Sequence, residues 1–154
     1  MLVSELITKE RIRERVFDTL SATFTDNELL AYINDAINLV WNELTALGYY
    51  ETVGDKQFTL ASDTLPTDFL RFAAKYPIIT KADGTATLYG TLPCDTRYLR
   101  RPIFMTATSD TLPFKNDSIN LLLGQITIML ALNRNEYNVE FEQGIISQLI
   151  KLIG

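Results

Sequence analysis

Thr25 and Glu28 stand three residues apart at the head of a run in which Leu29, Ile33, Ala36, Ile37, Val40, Trp41, Leu44 and Leu47 recur at helical spacing, and Gly48 follows at once. A threonine and a glutamate so placed satisfy two orphan backbone donors of a first helical turn reciprocally. A glycine just past the stripe supplies the left-handed cap that ends it. The spacing therefore predicts a helix over 25–47 with one apolar face, and a face of that length has to be covered by other elements. Whatever this chain folds into is built around that requirement.

Three more helices are expected. The first runs over about 3–20, with Leu6, Ile12, Val16, Phe17 and Leu20 near one stripe. The third spans about 117–133, and its apolar residues, Ile119 and Leu121 to Leu123 through Ile126, Ile128 to Leu130 and Leu132, exceed what one face can hold. The fourth spans about 138–153, with Phe141, Ile145, Leu149 and Leu152 on one stripe and Ile150 and Ile153 beside it. Between the second and third helices, over about 51–113, the period changes to two. Gln57–Leu60 alternates as a short strand does, and Tyr76–Thr80 and Thr85–Tyr89 flank Asp83-Gly84 as a hairpin with an Asp-Gly turn. Arg101–Thr106 reads as a further strand, and Thr-Leu-Pro recurs at 64–66, 91–93 and 111–113 as turn chemistry. The expected architecture is one mainly α (α+β) domain over 1–154, a four-helix core with a small β-hairpin and short-strand insertion between the second and third helices.

The chain offers little to catalysis. It has no histidine, which removes the usual general base near neutral pH and the common nucleophilic triads. Its single cysteine, Cys94, can form neither an internal disulfide nor a thiolate metal site by itself. The acid pairs Asp26/Glu28 and Glu140/Glu142 sit at helix starts, where the macrodipole accounts for them. No phosphate loop appears among the scattered glycines. No enzyme, cofactor or metal is expected, and neither a secretory leader nor a bilayer-spanning run is legible. Net charge is −5 and unevenly spread: residues 25–63 hold seven acids against Lys56 alone. Such a surface repels DNA rather than gripping it.

Residues Thr25 to Ala36, with Asn34-Asp35-Ala36 at the end, and then Leu65-Pro66-Thr67-Asp68-Phe69 after the short strand, resemble the head–tail adaptor (connector) proteins of tailed bacteriophages. In that family an acidic-polar helix start leads into an Asn-Asp/Glu-Ala motif, and a β segment ends in Leu-Pro-x-Asp-Phe. The resemblance covers about residues 24–72. It implies a virion protein of the phage neck, assembled in the host cytoplasm. Copies of it would form a ring, commonly twelve-fold, joining the capsid portal protein to a downstream neck or tail protein and leaving a channel for passing DNA. Family adaptors often reach the portal with a C-terminal segment, which here puts Leu149, Ile150, Leu152 and Ile153 forward as portal-docking residues. The surplus apolar face of the third helix nominates Leu121, Ile128 and Leu132 for the seam between subunits, and the hairpin tip, Asp83 and Gly84, for a tail-facing ribbon. Two other readings stay open: a small helical interaction module such as a tail-completion or stopper protein, acting as monomer or dimer, and an enzyme with a carboxylate-only site, for which no acid is singled out.

Overall fold

The computed structural model describes residues 1–8, 24–133 and 139–153. The chain divides into two compact units, one formed by Met1–Leu44 with Pro102–Gly154, the other by Thr45–Arg101.

The helical unit contains α1 (Val3–Thr8), most of α2 (Asp26–Ala46), α3 (Asp117–Asn133) and α4 (Val139–Ile153). The helix expected over 3–20 is described only as α1; Ile12, Val16, Phe17 and Leu20 lie outside the described residues, as do the side chains of Phe141 and Ile145. The start of α2 is capped as its sequence demands. The Thr25 N–H donates to Glu28 Oε2 at 2.7 Å, and the Glu28 N–H donates to Thr25 Oγ1 at 3.2 Å. Gly48 takes φ +71° just beyond its other end. The stripe from Leu29 to Leu44 is buried, Trp41 included.

What covers that stripe is not a four-helix core, and the expected arrangement is overturned here. Trp41 lies against Phe114, ring centroids 5.5 Å apart, and Phe114 belongs to the irregular segment that leads into α3. The Asn34 side chain clamps the same segment further back. Its Nδ2 donates to the Met105 carbonyl at 2.9 Å and its Oδ1 accepts from the Met105 N–H at 2.8 Å. Non-helical chain thus occupies ground that a bundle would give to another helix. The strand expected over 101–106 is absent for the same reason, because Met105 spends both backbone groups on Asn34. Near the first residues, the N–H groups of Val3 and Ser4 donate to the carbonyls of Asp110 and Thr108.

The second correction concerns the insertion. In place of a hairpin with stray strands, Thr45–Arg101 holds two three-stranded antiparallel sheets. The strands are β1 (Val53–Phe58), β2 (Ser62–Thr64), β3 (Phe69–Phe72), β4 (Ile78–Thr80), β5 (Thr85–Leu88) and β6 (Cys94–Arg100). One sheet is ordered β1-β6-β3 and the other β2-β5-β4. Their inward residues meet in one cluster, where Phe58, Ala86 and Leu88 are buried and Leu65, Phe72, Ile78 and Cys94 pack around them. The two sheets pack because β1, β3, β4, β5 and β6 each send an apolar side chain or Cys94 to that cluster, and a second layer covers what one sheet leaves open. Cys94 is part of that wall.

Candidate interaction surface

The residues proposed for the subunit seam fall on one face of α3. Inward, Ile119, Leu122, Leu123 and Ile126 are buried. On the other side Leu121 is 37% exposed, Met129 38% and Leu132 54%, with Ile128 half-buried between them. A spacing of 7 and then 4 residues returns to nearly the same angle on a 3.6-residue helix, so Leu121, Ile128 and Leu132 form a stripe. Beside it lies a groove of about 310 Å³ lined by Leu121, Leu122 and Gln125 from α3 and by Gln148, Lys151 and Leu152 from α4. Leu121 and Leu152 thus share one surface feature.

The four residues suggested for portal docking separate. Leu149 is fully buried and belongs to the core, so it is not available to a partner. Ile150 and Leu152 are exposed, and Ile153 is half-buried. Of these, Leu152 shares the groove with Leu121, so the apolar surface of α3 continues onto α4 at that residue.

The hairpin tip is a structured turn. Gly84 has φ +81°, which an L side chain rarely adopts. Asp83 Oδ1 accepts from the Thr85 N–H at 2.9 Å and from the Thr85 hydroxyl at 2.6 Å. Those two hydrogen bonds hold the Asp83 carboxyl below its usual range. Its hairpin is not a free ribbon, because β5 pairs with β4 on one side and β2 on the other.

The Leu65-Pro66-x-Asp68-Phe69 motif is structural in this unit. The Phe69 N–H donates to the Pro66 carbonyl and closes a turn. Asp68 Oδ1 accepts from the Tyr98 hydroxyl at 3.0 Å, and its other oxygen lies 3.3 Å from Arg100 Nε. Burial, and then the neighbouring Asp68 carboxylate, push the Tyr98 phenol up. The motif thereby ties β3 to β6. Asn34 of the Asn-Asp-Ala motif does comparable work as the clamp on Met105. Sequence reasoning missed both roles, although an asparagine inside a helix, where it competes poorly with other residues, was a legible signal that its amide is engaged elsewhere.

A second cleft, about 430 Å³, opens on the β1-β6 sheet between Asp55, Gln57, Tyr76, Asp95 and Arg97. Its polar side chains are engaged with one another. Arg97 Nε donates to Asp55 at 2.9 Å, Gln57 Nε2 donates to Asp95 at 2.8 Å, and the Tyr76 hydroxyl accepts from the Arg97 N–H. Among the described residues no group of three or more acids or cysteines is placed to hold a metal ion, and no helix is long and apolar enough to cross a membrane.

Comparison of the chain with protein-family models, with curated proteins and with solved structures finds no match in any of the three.

Proposed function

We propose that this chain is a structural, non-enzymatic protein of the phage neck, one of a ring of identical subunits that joins the capsid portal to the tail around a channel for DNA. The observation that carries the reading is the partly exposed apolar stripe of α3, Leu121, Ile128 and Leu132, and the groove through which Leu121 meets Leu152 of α4. Exposed apolar area gathered on neighbouring elements marks an interface, whereas singly scattered residues do not. The resemblance of Asn34-Asp35-Ala36 and Leu65-Pro66-x-Asp68-Phe69 to phage adaptors supplies the identity of the assembly. In this reading α3 faces the next subunit, Ile150, Leu152 and Ile153 face the portal, and the turn at Asp83-Gly84 meets a neck or tail component.

The test is an image. The full chain is examined by electron microscopy and its mass measured in solution, alone and mixed with the portal protein of the same phage. Closed rings with an open axis are expected in at least the mixture. Particles that remain monomers or dimers in both conditions refute the ring and favour a monomeric or dimeric stopper.

A further inference from the structure

Among the described residues the sheet β1-β6-β3 leaves the outer edge of β3 unpaired, and that edge is cationic. Arg71 on β3 is exposed, opposite Leu99 in register, and takes part in no ion pair among the described residues. Lys75 follows three residues beyond the strand and is exposed as well. Arg101, also exposed, is held at the start of β3, because its N–H donates to the Asp68 carbonyl and its Nε to the Phe69 carbonyl, both at 2.8 Å. The stretch 69–81 contains Arg71, Lys75 and Lys81 and no acid. The nearest acid in sequence, Asp68, is already engaged by Tyr98 and Arg100.

The helical unit carries the opposite surface. The outer stripe of α2, Glu28, Ala31, Asp35, Asn38 and Asn42, is exposed throughout, and the whole helix contains acids and no base. Asp35 makes no ion pair among the described residues. The stripe has no large apolar side chain, so a hydrophobic partner does not suit it. A cationic one does.

We infer that the β3 edge of one copy, through Arg71, Lys75 and Arg101, docks on the outer face of α2 of the next copy around Asp35. The inference rests on the ring reading and names its charged contact. The two patches differ, so the contact is heterologous, the kind that builds rings when the rotation closes. Exposed ion pairs add little affinity but fix orientation and reject wrong registers. The apolar α3 face would drive association, while the charges choose which face meets which.

The experiment uses full-length chains and two charge reversals, Arg71→Glu/Lys75→Glu on the strand edge and Asp35→Lys/Asn38→Lys on the helix, with association measured by analytical ultracentrifugation at low salt. Each variant alone sets like charge against like, and its self-association is expected to weaken by at least ~10-fold. An equimolar mixture is expected to recover wild-type association, since each reversed edge then finds a reversed helix on a different molecule. Wild-type chain that assembles while either variant alone assembles equally well overturns this contact and leaves the ring standing. Variants that both fail and are not rescued by mixing also overturn it. A wild-type chain that never associates, alone or with the portal, removes the ring and the contact together.

Discussion

Leu132→Asp is the most informative single change, because Leu132 is the seam residue least needed by its own fold. It is 54% exposed, so about half of a leucine's transfer free energy is still available to a partner. Full burial of a leucine is worth about 1.5–3 kcal/mol, which puts the unspent share near 1 kcal/mol. Leu121 at 37% exposure retains somewhat less. A Leu121→Ser/Leu132→Ser double variant should then lose about 2 kcal/mol per subunit contact, roughly 30-fold in affinity. Leu132→Asp adds the desolvation of a carboxylate facing an apolar neighbour, and its loss should exceed about 100-fold. Sedimentation velocity across a concentration series reads both values. A thermal melt accompanies each, since the buried parts of Leu121 and Leu132 are lost as well, and association is compared well below each variant's midpoint. If Leu132→Asp keeps its fold and assembles with wild-type affinity, α3 is not the seam and the reasoning from exposed apolar area fails.

Three further outcomes follow from the packing. Asn34→Ala removes both hydrogen bonds to Met105 and strands two backbone groups of a buried residue, so unfolding free energy should fall by about 1–3 kcal/mol in denaturant titration; an unchanged midpoint would show that the clamp is dispensable. At Gly54 an added Cβ collides with the ring of Tyr98, and Gly54→Ala should cost about 1–3 kcal/mol, seen as an earlier loss of amide protection in β1 and β6 than in α3. Asp110 accepts from the N–H groups of Thr106 and Ala107 at 2.7 and 2.9 Å and from the Thr106 hydroxyl, which holds its carboxyl below the usual range. A depressed carboxylate stabilises the fold above its unfolded pKa and stops doing so as pH falls through the folded value, so acid melts of Asp110→Asn should show a smaller stability loss below about pH 4 than wild type.

Local features of the fold were legible and long-range ones were not. The helix α2 was readable because its cap, stripe and terminal glycine lie within one stretch and each has a local physical cause. The β4–β5 hairpin was readable for the same reason, since Asp83 and Gly84 specify the turn without help from the rest of the chain. Strand β6 escaped notice because its inward positions are polar or mixed. Thr96 is buried, yet its hydroxyl donates to the Lys56 carbonyl, and Tyr98 keeps its hydroxyl on Asp68, so neither reads as part of an apolar alternation. Pairing of β1 and β3 with β6 joins residues 26 to 46 positions apart, and no local pattern encodes it. The expected helix bundle failed because the segment from Pro102 to Asn116, which covers α2 through Met105 and Phe114, has no period to detect. At the interaction surface the periodicity placed Leu121, Ile128 and Leu132 on one stripe, and on α4 it put Leu149 on the stripe and Ile150 beside it; the docking expectation nevertheless grouped buried Leu149 with exposed Ile150.

The composition of α3 itself argues for a second partner. Its inner face already has Ile119, Leu122, Leu123 and Ile126 fully committed to the core. Rotating the helix would exchange one apolar face for the other and hide no more surface in total. A helix that served only its own unit could carry glutamine or lysine at 121, 128 and 132 at the cost of only the part of each side chain that its own unit buries, as Gln125 on the same side already does. Leucine and isoleucine at those positions stabilise nothing in proportion to the solubility they cost unless another surface covers them. Because Leu121 shares a groove with Leu152 of α4, a surface that covers the stripe meets a second helix at that end, which suits a folded neighbour better than a single bound strand. A Leu121→Gln/Ile128→Gln/Leu132→Gln variant that folds, associates and binds portal as the wild type does would show that the stripe has no such neighbour.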